Sequence, residues 1–130
     1  MAQKDFLLAL MNELRDYHLC IETSGYANPE TFRQVLEKLS FVIMDIKLAD
    51  PILHKTYTGV SNEKILANLR ILQASGKPYI IRTPLIPGIT DQEENLSAIR
   101  LLIGDATWEQ LPYNALAGAK YKMLDMEYTL

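Results

Sequence analysis

The sequence predicts an α/β fold, a partial β/α barrel of about four parallel strands with flanking helices. Three observations predict it. The run Phe41 to Lys47, Phe-Val-Ile-Met-Asp-Ile-Lys, is short and apolar with no Gly or Pro. That is how a strand reads when both its faces are covered. Similar runs recur roughly every 20 to 40 residues with a helical pattern between them, the spacing of parallel strands joined by helices. Finally, the chain has 130 residues, 48% hydrophobic and 22% charged. That is enough for one core, but only about half of the ~250 residues of a complete eight-stranded barrel. Residues 1–130 therefore read as one partial-barrel domain.

Each element has a local reason. Phe6, Leu10, Leu14 and Tyr17 recur at helical spacing and Asp5 can cap, so Asp5 to Tyr17 reads as a helix. His18 to Thr23 reads as a strand closed by Ser24-Gly25. Asn28-Pro29 starts a helix, with Asn as cap and Pro in the first turn. Its apolar side is Phe32, Val35, Leu36 and Leu39. The strand Phe41 to Lys47 follows, and Asp50-Pro51 starts a short helix to Thr58. Ser61 or Asn62 caps a helix that buries Ile65, Leu66, Leu69 and Leu72 and ends at Gly76. Tyr79 to Leu85 is the third strand, leaving the sheet at Pro84 and Pro87. Thr90 with Glu93 fits a capping box for a helix carrying Leu96, Ile99, Leu102 and Ile103. Trp108 to Leu111 is the fourth strand, and from Pro112 onward the pattern fades into a loop.

Composition excludes several functions. The net charge is −3 and no Lys/Arg cluster offers a surface to nucleic acid or membrane. The apolar run Phe6 to Met11 is too short for the core of a signal peptide. No stretch approaches membrane-spanning length, so the chain reads as cytoplasmic. It contains one cysteine, Cys20, and two histidines, His18 and His54. No intramolecular disulfide and no Cys-rich zinc or iron–sulfur site can be built from this chain alone.

Each strand carries polar residues at its carboxyl end: Glu22 with Thr23, Asp45 with Lys47, Arg82 with Thr83, and Asn114 after Tyr113. Adjacent parallel strands would set these tips along one rim, where α/β folds bind ligands. Lys47 and Arg82 would meet an anion, and Asp45 and Glu22 would accept from hydroxyls, an ammonium group or a bound cation. A plainer reading stands beside this one, in which Asp45 and Lys47 simply neutralise each other. Lys47 as a Schiff-base amine is a further possibility, opposed by Asp45, which keeps the ammonium charged. Cys20 reads as a small buried side chain, His54 as a surface residue of a short helix, and His18 as a residue at a strand entrance.

Five blocks together resemble a known family: Cys20-Ile-Glu-Thr-Ser-Gly-Tyr26, Met44-Asp-Ile-Lys47, Tyr57-Thr-Gly-Val-Ser-Asn62, Ile81-Arg-Thr-Pro-Leu-Ile-Pro-Gly-Ile-Thr-Asp91 and Leu111-Pro-Tyr-Asn114. In order and spacing they resemble the glycyl-radical-enzyme activating enzymes of the radical S-adenosylmethionine superfamily, pyruvate formate-lyase activating enzymes above all. The resemblance implies an oxidoreductase that binds S-adenosylmethionine across the carboxyl ends of barrel strands. It cleaves that cofactor reductively and generates a glycyl radical on a partner enzyme such as pyruvate formate-lyase. Carried over by position, Asp45, Lys47, Arg82 and Asn114 would bind S-adenosylmethionine, and Glu22, Thr23 and Asp45 would flank a monovalent cation. Asn114 stands where a histidine is usual in the pyruvate formate-lyase type, but it can still donate a hydrogen bond.

The family's Cys-x-x-x-Cys-x-x-Cys loop, which holds a four-iron cluster, and its Gly-Gly-Glu-Pro motif are missing from these residues. The resemblance therefore implies a chain that begins after those motifs, binds S-adenosylmethionine weakly or not at all, and is inactive alone. The alternative is a non-catalytic module that binds a glycyl radical enzyme or complements a cluster-bearing chain. A missing neighbouring strand would leave the edge of His18 to Thr23 unpaired, which predicts self-association or aggregation, with a two-fold homodimer satisfying both edges. The alternative is that the helix Asp5 to Tyr17 folds over the edge and leaves a monomer.

Overall fold

The computed structural model describes residues 1, 3–114, 121 and 123–125. They form α1 (Lys4–Glu13), β1 (Cys20–Thr23), α2 (Pro29–Lys38), β2 (Phe41–Asp45), α3 (Pro51–Thr58), α4 (Glu63–Ala74), β3 (Tyr79–Leu85), α5 (Glu93–Ile103) and β4 (Trp108–Pro112). The sheet runs β1-β2-β3-β4 with every neighbouring pair parallel. This is the predicted α/β architecture.

The two faces of the sheet differ. Along β2, Val42 and Met44, and beyond them Ile46 and Leu48, are buried, whereas the intervening Phe41, Ile43, Asp45 and Lys47 are only half-buried. Val42, Met44, Ile46 and Ile81 pack with Phe32, Val35 and Leu36 of α2, Ile65, Leu69 and Leu72 of α4, and Ile99 and Ile103 of α5. So the helices cover one face. The other carries Phe41, Ile43 and Ile80 near its base and the charged tips above them, and no described helix covers it. An alternation of this kind is what strands of half a barrel show: one face under helices, the other turned to where the interior would be.

Capping follows the predicted chemistry at two helices. Asn28 accepts from the Glu30 amide, and Asp50 accepts from the Ile52 and Leu53 amides. Elsewhere the structure differs from the sequence reading. Helix α1 ends at Glu13 and docks through Leu7, Leu8 and Met11 rather than through Phe6, Leu10, Leu14 and Tyr17. That second stripe lies exposed, Phe6 at 65% and Tyr17 at 70%. The last predicted turn has nothing to pack on, so it unwinds. Strand β1 starts at Cys20 rather than His18, and Cys20 is exposed rather than buried because its side chain lies on the uncovered face at the sheet edge.

Strand β2 ends at Asp45, although the Ile46 amide still donates to the Arg82 carbonyl. Leu66 is half-buried, not a core residue. Thr90 does not cap α5, whose first turn has no side-chain cap. Its hydroxyl instead donates to the Pro84 carbonyl and accepts from the Ile86 amide, closing the loop after β3. Strand β4 includes Pro112, while Tyr121 and Met123 are helical where a loop was expected. Gly118, Lys120 and Lys122 of that expected loop lie outside the described residues.

Candidate functional site

Register brings the predicted tips together. Asp45 lies beside Arg82, and Arg82 beside Glu109, on adjacent parallel strands. Parallel partners share a face, so all three side chains stand on the uncovered side. Arg82 reaches both ways across the sheet. Its Nε donates to Glu109 Oε2 at 2.7 Å on β4, and its Nη1 to Glu22 Oε2 at 3.2 Å on β1. The hydrogen bond to Glu109 raises the guanidinium pKa above its ordinary value, with the charges of Glu109, Glu22 and Asp45 adding to it against partial desolvation. Arg82 is therefore a fixed cation that ties the outer strands to the centre.

Lys47 and Asp45 form a separate pair at 2.8 Å, half-buried at the carboxyl end of β2. The plainer reading of this pair, mutual neutralisation, therefore describes their geometry as it stands. Thr23, the sequence neighbour of Glu22, turns the other way, and its Oγ1 accepts from the Gly25 amide at 3.0 Å. Thr83, adjacent to Arg82, is buried on the helix side, donating to the Ile46 carbonyl at 2.7 Å and accepting from Trp108 Nε1 at 3.0 Å. Asn114 is exposed just past β4.

A cavity of about 340 Å³ opens at the carboxyl ends of β1 and β2, lined by Ser24, Tyr26, Asp45, Lys47, His54, Thr58, Val60 and Ile65. This is at the small end of the range for ligand pockets, with a few converging polar groups on an otherwise apolar wall. A hollow of about 360 Å³ lies between α2 and α4 among Arg33, Leu36, Glu37, Ile71 and Lys77. It is away from the strand ends, and Lys77 there is spent on the Glu37 and Leu39 carbonyls.

Several residues of the site escaped the sequence reading. Glu109 completes the Arg82 bridge; strand alternation against half-buried Trp108 was its only signal. His54 is buried at 4% exposure rather than on the surface. Three buried asparagines hold the loops of the rim. Asn68 Nδ2 donates to the Gly25 and Ala27 carbonyls after β1. Asn62 Nδ2 donates to the Leu48 and Ala49 carbonyls after β2. Asn95 Nδ2 donates to the Lys47 and Thr90 carbonyls, and its Oδ1 accepts from the Ala49 amide. A polar residue on the apolar side of a helical pattern was the available signal for Asn68 and Asn95, since it must find main-chain partners there. Asn62, read as a possible cap, stands at the start of α4, but its side chain makes no cap bond and holds the loop after β2 instead.

The sequence matches the Radical SAM superfamily over residues 2–98. The chain belongs to that superfamily. Curated relatives point the same way within it. The chain is 42% identical over 97% of its length to the isethionate sulfite-lyase activating enzyme of Nitratidesulfovibrio vulgaris, covering 43% of that protein. It is 35% identical over 98% of its length to the pyruvate formate-lyase-activating enzyme of Streptococcus mutans, covering 53% of it. The fold matches the crystal structure of a domain of pyruvate-formate lyase-activating enzyme from Bacteroides vulgatus with a TM-score of 0.78 and 26% identity, covering 88% of this chain and 75% of that one. These homologues are activating enzymes of glycyl radical enzymes, and the chain spans about half or less of the length of the two curated relatives named.

The superfamily implies S-adenosylmethionine and an iron–sulfur cluster. The donor set fits the first: a cavity at the strand ends holds an ammonium, a carboxylate, hydroxyls and an imidazole. It does not fit the second, because these 130 residues contain one thiol, Cys20, and the described residues bring no three His, Cys, Asp or Glu side chains together as a metal site. Among the described residues no helix is long and apolar enough to cross a membrane.

Proposed function

We propose that this chain is the cofactor-binding half-barrel of a glycyl-radical-enzyme activase. In this reading Asp45, Lys47, Arg82 and Asn114 hold S-adenosylmethionine at the carboxyl ends of β2, β3 and β4. Glu22, Thr23 and Asp45 flank a monovalent cation beside it. The observation that carries the reading is the convergence of Glu22, Asp45, Lys47 and Arg82, far apart in sequence, on one rim of a parallel sheet. S-adenosylmethionine, if bound here and given an electron by an iron–sulfur cluster whose ligands lie outside these residues, would supply the radical chemistry for a glycine of the partner enzyme.

The chain's own residues contribute binding and orientation. Lys47 presents three donors, and release of Asp45 from that pair frees a carboxylate for a ligand hydroxyl, an ammonium group or the cation. Arg82 supports the wall by bridging three strands. The partner is a glycyl radical enzyme of the pyruvate formate-lyase type, and the setting is the cytoplasm. With one thiol the chain is inactive alone, and the cluster ligands come from elsewhere.

Calorimetric titration with S-adenosylmethionine tests this. Weak but saturable binding is expected, reduced by Lys47→Ala and by Arg82→Ala. For Lys47→Ala the loss of a charge-assisted contact is about 1.5–3 kcal/mol, roughly ten- to a hundred-fold in affinity. Equal binding by wild type and both variants would refute the assignment.

The same reading includes a homodimer through the sheet edge. One edge of β1 has no strand partner among the described residues, and α1, the helix leading into β1, exposes Phe6, Leu10, Leu14 and Tyr17. An antiparallel two-fold pairing of β1 with its copy satisfies both edges at once.

A further inference from the structure

Building on the reading that the cavity at the ends of β1 and β2 receives S-adenosylmethionine, we propose that His54 is a ligand-binding residue of that cavity, whose Nε2 accepts a hydrogen bond from an amino or hydroxyl group of the ligand beside Lys47. His54 sits in α3, which is fixed at its start by the Asp50 cap and at its end by Gly59 in the left-handed conformation. The residue is 4% exposed, so the ring is buried rather than solvated.

Its Nδ1 lies 2.7 Å from the Val60 carbonyl oxygen and 2.9 Å from Thr58 Oγ1. A carbonyl oxygen can only accept, so Nδ1 carries the proton and donates. The Thr58 hydroxyl spends its own proton on the His54 carbonyl at 2.7 Å, which leaves its oxygen as a second acceptor for the same N–H. With Nδ1 protonated, Nε2 of the neutral ring holds a lone pair. A main-chain bond at one ring nitrogen fixes the tautomer and thereby the role of the other.

Among the described residues Nε2 has no hydrogen-bond partner, and it is not one of the side-chain atoms sealed away from solvent without one. The surface it can reach is the cavity that the residue lines with Asp45 and Lys47. Asp45 already accepts from Lys47 at 2.8 Å. His54 Nε2 is thus an uncommitted acceptor beside a committed ion pair. S-adenosylmethionine carries donors of the required kind on its adenine, its ribose and its amino group. A purely structural role would use Nδ1 alone, to close the turn at Val60, and would leave Nε2 without consequence.

Nitrogen NMR of the two imidazoles separates these roles, with His18 as the internal control. The unliganded protein should show His54 as the Nδ1-protonated tautomer. Added S-adenosylmethionine should move the His54 Nε2 resonance and leave His18 in place. The variant His54→Asn keeps an amide donor near the Nδ1 position and deletes Nε2. It should melt like wild type yet bind about tenfold more weakly, the loss expected for one hydrogen bond to the ligand. The proposal is overturned if His54 carries its proton on Nε2 in the free protein, or if the Asn variant folds and binds as wild type does. It is also overturned, with the cofactor reading left standing, if the amides of Ile46 to Leu48 respond to the ligand while the His54 ring does not. If neither responds, the cofactor reading falls and this inference with it. Should His54→Asn fail to fold, the wild-type spectra decide alone.

Discussion

Replacing Asn95 with alanine should destabilise the protein by about 3 kcal/mol, more than most polar substitutions on a helix. Asn95 is only 9% exposed. Its Nδ2 donates to the Lys47 carbonyl at 3.0 Å and to the Thr90 carbonyl at 2.9 Å, and its Oδ1 accepts from the Ala49 amide at 3.0 Å. Each such bond contributes about 1 kcal/mol net. Alanine removes all three and leaves two carbonyls and one N–H to find other partners. Against a total stability of about 5–15 kcal/mol the loss is large, and it should lower Tm by roughly 10 °C for a domain of this size. Urea and thermal unfolding measure it. Hydrogen exchange at the Ala49 amide reports the local effect, since that N–H loses its acceptor. Asn95→Asp should be at least as damaging, because it sets a carboxylate against two carbonyl oxygens. A loss below about 1 kcal/mol for Asn95→Ala, or a neutral Asn95→Asp, would refute the clamp.

Three further outcomes follow from the same geometry. Gly25 has a φ of +70°, and a Cβ there would overlap Met44 Cε, so Gly25→Ala should cost about 1–3 kcal/mol in unfolding experiments; an unchanged Tm would contradict this. Anaerobic reconstitution of the purified chain followed by iron analysis should give no stoichiometric four-iron cluster, because such clusters need several thiolates and Cys20 is the chain's one; stoichiometric iron would overturn the ligand count. Light scattering after size exclusion at micromolar concentration should show a dimer, and a clean monomer would remove the β1 edge pairing.

The fold was legible where apolar period and punctuation agree. The apolar run of β2 and the Asn28-Pro29 and Asp50-Pro51 starts gave elements that the structure adopts. But β2, read as a strand covered on both faces, alternates and has helices on one face only among the described residues, because the tips at its end keep the other face polar. The α1 stripe misled because Phe6, Leu10, Leu14 and Tyr17 keep the helical period as well as Leu7, Leu8 and Met11 do. Which stripe is buried depends on tertiary docking, which periodicity does not contain. The tips Glu22, Asp45, Lys47 and Arg82 were legible because a strand end fixes both position and face. Glu109, His54 and the three asparagines were not. Their roles rest on partners 4 to 48 residues away, such as the Thr58 hydroxyl and Val60 carbonyl for His54 and the Lys47 carbonyl for Asn95. Thr90 shows the opposite failure: a cap motif in sequence was taken up by the loop after β3.

The measurement that bears most directly on the cofactor-binding reading is the map of backbone amide shifts on adding S-adenosylmethionine to the labelled protein. Changes clustered at Ser24 to Tyr26, Ile46 to Leu48 and Arg82 to Leu85, the carboxyl ends of β1, β2 and β3, are expected, and their loss in Lys47→Ala. Changes confined to Arg33, Ile71 and Lys77 in the hollow between α2 and α4, or none at saturating ligand, would contradict it.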